Sequence, residues 1–142
     1  MFIKQISVYL ENRQGRLAQF TSVLADNGID LMAATVADTT DFGIVRVITK
    51  DFDKAVEVLK KNGYSANVRD VLAISVPDKP GGLAEVLNLL NENNISVEYL
   101  YSLVRRLNHQ AIVVCRVDKP EEAVKLLTDK DIKLISQQEI SQ

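Results

Sequence analysis

The stretch Pro77-Asp78-Lys79-Pro80-Gly81-Gly82-Leu83-Ala84 decides the fold, because the chain contains a second version of it. That version, Glu11-Asn12-Arg13-Gln14-Gly15-Arg16-Leu17-Ala18, lies 66 positions earlier, counted from position 81 back to position 15. The same offset pairs Leu24, Asn27 and Ile29 with Leu90, Asn93 and Ile95. After two extra residues in the second copy, an offset of 68 pairs Ile44-Val45 with Ile112-Val113, and Ala55-Val56 and Leu59 with Ala123-Val124 and Leu127. The chain is therefore a tandem duplication.

Each copy predicts the same first elements. Apolar and polar residues alternate over 6–10 and again over 72–76, which is the period of a half-buried strand. A glycine-containing turn then leads into apolar residues at helical spacing between Leu17 and Leu24. Asn27-Gly28, and Asn93-Asn94 in the second copy, are predicted to end these helices because both tolerate a left-handed backbone.

The remaining elements of each copy are two strands, a helix and a last strand. In the first copy the two strands cover 29–37 and 42–49 and are joined by Asp38-Thr39-Thr40-Asp41. The second helix covers about 53–62, and in the second copy Pro120 suits its first turn. Last strands are predicted near 64–68 and near 132–136.

The order strand, helix, strand, strand, helix, strand predicts the ferredoxin-like (βαββαβ) fold of the α+β class. We expect two such units in tandem, residues 1–69 and 70–142, each an antiparallel sheet with both helices on one face. A unit of this size leaves the other sheet face and a strand edge uncovered. The sequence therefore predicts a homodimer.

Composition excludes several classes of protein. The 17 basic residues are outnumbered by 19 acidic ones, so the charge of −2 does not favour nucleic acid as a partner. No apolar run approaches the ~20 residues that span a bilayer, and no signal peptide is seen, so we expect a cytoplasmic protein without a membrane partner. Cys115 and His109 are the only residues of their types, which predicts no metal site and no cofactor.

The turns between the first strand and first helix are the candidate ligand sites. Gly15 and Gly81 allow a tight turn and close approach of a ligand. The amides that follow, at a helix N-terminus, suit a carboxylate, and Asn12 and Asp78 could accept hydrogen bonds from an ammonium group. Carboxylate and ammonium together specify a free amino acid. The alternative is a plain turn in which Asn12 or Asp78 caps the helix.

The sequence resembles the ACT domain family in both copies. In the second, Val76–Ala84 is followed by Asn94–Tyr99, and in the first, Leu10–Leu17 is followed by Gly28–Leu31. The resemblance implies a regulatory, non-catalytic domain that binds an amino acid between paired units, at the turn of one and the second strand of its neighbour. The ligand-binding residues it implies are Asn12, Gly15, Arg16, Leu17, Asp30 and Met32 in copy one, and Asp78, Gly81, Gly82, Leu83 and Ser96 in copy two.

Two departures from the family pattern predict unequal binding by the two turns. Copy one has Gln14 where proline is usual, and copy two has Ser96 where an aspartate or asparagine is common. We expect a stand-alone amino-acid sensor whose partner is a target enzyme. An alternative is the regulatory subunit of an amino-acid biosynthetic enzyme such as acetohydroxyacid synthase, whose small subunit also opens with an ACT domain. Copy one permits this alternative, whereas copy two argues against it because the second half of that family is not a plain second ACT copy. An RNA-binding module has the same element order, but the strand Gln110–Val117 lacks the aromatic residues on which bases stack.

The predicted homodimer is tested by the mass of the protein in solution. Static light scattering at tens of micromolar should give about twice the 15.8 kDa of one chain, because the exposed strand edges and sheet faces find cover in a second copy. A mass of one chain at that concentration would contradict the prediction.

Overall fold

The computed structural model describes residues 1–38, 42–107 and 109–142. The elements in chain order are β1 (Ile3–Glu11), α1 (Arg16–Asp26), β2 (Leu31–Asp38), β3 (Phe42–Thr49), α2 (Phe52–Lys61), β4 (Ala66–Val76), α3 (Gly82–Glu92), β5 (Val97–Ser102), β6 (Ala111–Val117), α4 (Pro120–Asp129) and α5 (Gln137–Ser141). Positions 39–41 of the predicted turn after β2 lie outside the described residues.

Two compact units divide the chain. One contains residues 4–69 and 141–142, and the other contains residues 70–140 and 1–3. In the first unit the strands lie in the order β2-β3-β1 and in the second in the order β4-β6-β5. All of these neighbours are antiparallel. The α+β fold with tandem ferredoxin-like units is confirmed.

Each unit has its own apolar core, into which the alternate side chains of its strands point. In the first core, Val8 of β1 lies beside Val45 of β3, and Phe20 and Leu24 of α1 and Leu59 of α2 pack against them. The second core repeats this arrangement with Ile74, Val113, Val86, Leu90 and Leu127. Since α1 and α2 share one core, they cover the same face of their sheet, and so do α3 and α4.

The ends of α1 and α3 are built alike. Asn27 Nδ2 donates to the Val23 carbonyl at 2.8 Å, and Asn93 Nδ2 donates to the Leu89 carbonyl at 2.9 Å. The following residues, at positions 28 and 94, have φ of 70° and 58°. The predicted left-handed helix ends are confirmed, and so is Pro120 in the first turn of α4.

The last strands differ from the prediction. The segment predicted near 64–68 becomes the start of β4, which runs without interruption from Ala66 to Val76. The segment near 132–136 pairs antiparallel with β4 through a bridge between Leu134 and Ile74, but it is shorter than the predicted strand. Its backbone hydrogen bonds run from the Ser75 amide to the Lys133 carbonyl at 2.9 Å and from the Ile135 amide to the Ala73 carbonyl at 2.8 Å. The chain then enters α5.

A capping box explains why a helix follows at this point. The Ser136 amide donates to Glu139 Oε2 at 2.8 Å, and the Glu139 amide donates to Ser136 Oγ at 3.2 Å. This reciprocal pattern satisfies two amides at a helix start. Lys133 adds an ion pair with Glu139 at 3.0 Å. The hydrogen bond from Ser136 and then Lys133 lower the pKa of Glu139.

The only cysteine is a buried core residue, as the sequence predicts. Cys115 lies in β6 and is 2% exposed. Burial raises the pKa of its thiol to about 11. The reactive thiolate is therefore almost absent at neutral pH, which makes this thiol chemically inert in the folded protein.

The capping carboxylate should make stability depend on pH. The pKa of Glu139 lies below its ordinary 4.5 in the folded chain, so its stabilisation is complete above pH 4.5 and is lost as the pH falls through the lowered value. The variant Glu139→Gln should unfold more easily than wild type at about pH 7, by about 0.5–1 kcal/mol, and this difference should shrink at about pH 3. Urea unfolding at both pH values measures it. A difference that does not change with pH would contradict the assignment.

Candidate functional site

The two turns are built by the same backbone hydrogen bonds. In the first, the Arg13 amide donates to the Glu11 carbonyl at 2.8 Å, and the Arg16 amide donates to the Arg13 carbonyl at 3.2 Å. The corresponding bonds of the second turn, from the amides at positions 79 and 82, measure 2.9 and 3.1 Å. The repeat seen in the sequence is thus a repeat of backbone hydrogen bonds.

Glycine holds the position immediately before each helix. Gly15 and Gly81 have φ of 85° and 86°, in the left-handed region that L side chains rarely adopt. Neither α1 nor α3 receives a hydrogen bond from a side chain at its N-cap. The N-cap position of each helix is thus a glycine, which offers no side chain to the amides of the first helical turn. The alternative in which Asn12 or Asp78 caps the helix stays a prediction.

A small cleft beside the first turn brings together three of the predicted residues. Asn12, Arg16 and Leu17 line it, together with Val36 of β2 and Gly43 of β3, and its volume is about 120 Å³. The cleft is large enough for the backbone groups of a small ligand but is not enclosed within this unit.

The charged groups of the first turn contact one another. The Glu11 carboxylate accepts from Arg13 Nε at 2.7 Å and lies 3.7 Å from Arg16 Nη2. Arg16 Nη1 also donates to Gln19 Oε1 at 3.3 Å. Arg16 is therefore held beside the turn in a network with one net positive charge, which favours an anionic group of a ligand.

The second turn carries a different ion pair. Asp78 contacts Arg106, a residue of the connection between β5 and β6, and both side chains are largely exposed. The sequence indicated no such contact, because Arg106 lies 28 positions after Asp78 and no motif or spacing links the two residues. Only the packing of the connection brings Arg106 to the turn.

Gly82 is required by the turn for a steric reason. A Cβ atom at this position would lie 2.1 Å from the Pro77 carbonyl oxygen, whereas one at Gly15 or Gly81 would meet nothing within 4 Å. At the equivalent position of the first turn, Arg16 carries a side chain without difficulty. A role of Gly82 in binding a ligand stays a prediction, as it does for the other predicted residues.

Two equivalent leucines mark the apolar side of the turns. Leu17 and Leu83, at the second positions of α1 and α3, remain 44% and 36% exposed. Exposed leucines beside a polar turn provide apolar contact area for a ligand or for another protein surface.

The start of the second strand lies far from the turn within one unit. Along β3, the partner of Leu31 is Thr49, whereas the partner of Glu11 is Phe42. These partners are seven residues apart, or about 23 Å in a strand. Asp30 and the buried Met32 therefore lie at the opposite end of the sheet from Asn12.

Ser96 lies at the corresponding far end of the second unit. Its amide donates to Asp118 Oδ1 at 2.9 Å, and its carbonyl accepts from the Asp118 amide at 3.1 Å. Neither unit alone brings Asp30, Met32 or Ser96 to its own turn, so a site that combines them with a turn needs two units.

Metal-binding clusters and membrane-spanning helices are both absent from the described residues. Within 1–38, 42–107 and 109–142, no group of three His, Cys, Asp or Glu side chains is arranged to hold a metal ion. In the same part of the chain, no helix has both the length and the apolar character needed to cross a membrane.

Comparisons with known proteins agree with this architecture. The family model described as "ACT domain pair" matches residues 1–142. Protein BT0572 from Bacteroides thetaiotaomicron is 39% identical, with a TM-score of 0.91 over 100% of this chain and 97% of that chain. No curated protein matches the sequence.

More distant structures share the fold alone. The ligand-free regulatory subunit of aspartate kinase from Thermus thermophilus is 16% identical, with a TM-score of 0.62 over 89% of this chain and 91% of that chain. The corresponding subunit from Thermus flavus is 19% identical, with a TM-score of 0.60 over 89% and 90%.

The steric role of Gly82 is tested by adding one methyl group. Gly82→Ala should lower the free energy of unfolding by about 2 kcal/mol or more, because the backbone at Pro77 must move. The matched control is Arg16→Ala in the first turn, which loses an exposed ion pair with Glu11 and an exposed hydrogen bond to Gln19 and should cost less than about 1 kcal/mol. Urea unfolding of both variants measures this. Equal costs would show that the contact with Pro77 does not constrain the turn.

Proposed function

The chain belongs to the ACT domain pair family, and on this premise we propose that it is a regulatory sensor that binds a free amino acid and performs no catalysis. The observation that carries the proposal is the repeated turn. In both copies, a glycine with a left-handed backbone precedes a helix whose N-cap residue provides no side-chain hydrogen bond. The amides at these positions suit a carboxylate.

The ammonium group of the ligand would be bound by Asn12 or Asp78. At the second turn it must compete with Arg106, which already contacts the Asp78 carboxylate. An exposed pair of this kind contributes about 0–1 kcal/mol, so competition lowers affinity by a factor of up to about five. This difference supports unequal binding by the two turns.

A complete site would be assembled from paired ACT domains. Because a turn and the start of its own second strand are about 23 Å apart, residues such as Asp30 could contact the same ligand as Asn12 only from another domain. We therefore propose that the functional protein is a homodimer in the cytoplasm. Ligand binding would change its interaction with a target enzyme.

A thermal-shift screen of the twenty common amino acids tests the proposal. One or a few should raise the melting temperature, because a ligand at a hundredfold excess over Kd stabilises the folded state by about 2.7 kcal/mol. The variants Gly15→Asn and Gly81→Asn should reduce the shift, since each puts a side chain on the approach path while asparagine tolerates a left-handed backbone.

Gly63→Asn is the matched control for these variants. Gly63 also has a left-handed backbone, with φ of 83°, and an added Cβ would meet nothing within 4 Å, but it lies at the end of α2. This variant should keep the full ligand shift. The proposal is wrong if no amino acid at millimolar concentration changes the melting temperature, or if Gly63→Asn and the turn variants respond alike.

A further inference from the structure

The second unit contains a cleft that shares Pro77 and Gly82 with the second turn but does not include Asp78 or Gly81. It lies between the start of α3 and the segment that follows α4, and its volume is about 450 Å³, within the usual range of small-molecule sites. Val86 and Ile132 contribute to its apolar lining. Its charged lining has two residues of each sign, Glu85, Asp131, Lys130 and Lys133.

In the first unit, two aromatic side chains occupy the equivalent place. The offset of 66 superposes Phe20 on Val86, and the offset of 68 superposes Tyr64 on Ile132. The Phe20 and Tyr64 rings form an edge-to-face pair with centroids 5.5 Å apart, and Phe20 is fully buried. The smaller aliphatic residues of the second unit leave this volume unfilled.

One further lining residue is smaller than its counterpart in the first unit. Arg16 corresponds to Gly82, where no side chain fits.

The second copy has charged residues at positions that line the cleft. Glu85 and Lys130 line the cleft, and the residues at their positions in the first copy are the neutral Gln19 and Asn62. The second lysine of the cleft, Lys133, is already paired with Glu139. A second carboxylate, Asp131, corresponds to Gly63 of the first copy and lies next to Lys130 in the sequence. A carboxylate and an ammonium beside an apolar wall are complementary to a molecule with both charges and an apolar side chain.

We propose that this cleft binds a zwitterion with an aromatic side chain, that is, an aromatic amino acid. Its ring takes the place that Phe20 and Tyr64 fill in the first unit. Its ammonium group meets the Glu85 carboxylate, and its carboxylate meets Lys130. The site is formed within one unit, so it requires neither a second domain nor the left-handed glycines.

Titration calorimetry with L-phenylalanine as the probe tests this site. Wild type should bind, and the double variant Val86→Phe/Ile132→Tyr should bind at least tenfold more weakly, because it rebuilds the aromatic pair that the same fold accommodates in the first unit. Two truncated probes separate the charges. Both 2-phenylethylamine, which lacks the carboxylate, and 3-phenylpropanoate, which lacks the ammonium group, should bind at least tenfold more weakly than phenylalanine.

A second double variant tests the proposal if Val86→Phe/Ile132→Tyr does not fold. Glu85→Gln/Lys130→Asn copies the charges of the first unit and should also lose at least tenfold in affinity. Lys125→Asn removes an exposed lysine of α4 outside the cleft and should bind like wild type. Wild-type affinity in either double variant, or no binding of phenylalanine to wild type at millimolar concentration, would overturn the proposal.

Gly81→Asn separates this site from the turn. It should leave phenylalanine binding unchanged, because the cleft does not use Gly81. Loss of binding in Gly81→Asn with retention in the filled-cleft variant would assign phenylalanine to the turn, which would support the proposed sensor function and reject the cleft.

Discussion

The left-handed backbone at Gly15 and Gly81 is the constraint on which each unit depends. It lets the chain leave a strand and enter a helix within a few residues, so that the helix folds back over the strand it follows. The core between them then forms from residues such as Val8 and Phe20 in the first unit. The same geometry leaves the helix amides without a side-chain hydrogen bond from the N-cap residue, so structure and candidate site have one origin.

Duplication preserved the backbone of this turn while its surroundings diverged. The hydrogen bonds of the two turns agree to within a few tenths of an ångström. Their charged groups do not agree, because the first turn holds Glu11 between two arginines and the second pairs Asp78 with Arg106. Two sites with one geometry can therefore differ in affinity and in response to salt.

The interiors diverged as well, within one kind of core. An edge-to-face aromatic pair closes the first unit where Val86 and Ile132 leave a cleft in the second. The end of the second unit also differs, since its last segment pairs with β4 only at a short bridge and then enters α5 through a capping box at Ser136. Each change is local, and neither disturbs the strand order of its unit.

The sequence by itself determined the repeat, the order of elements, the left-handed helix ends and the buried Cys115, because periodicity and glycine or asparagine positions are local signals. It did not reveal the capping box that ends the second unit, although Ser136-x-x-Glu139 carried the signal. Only the tertiary structure decided that Gly82 lies against Pro77, that Arg106 reaches Asp78 and that a cleft opens beside Val86. These depend on distances between residues remote in sequence, which no local pattern encodes.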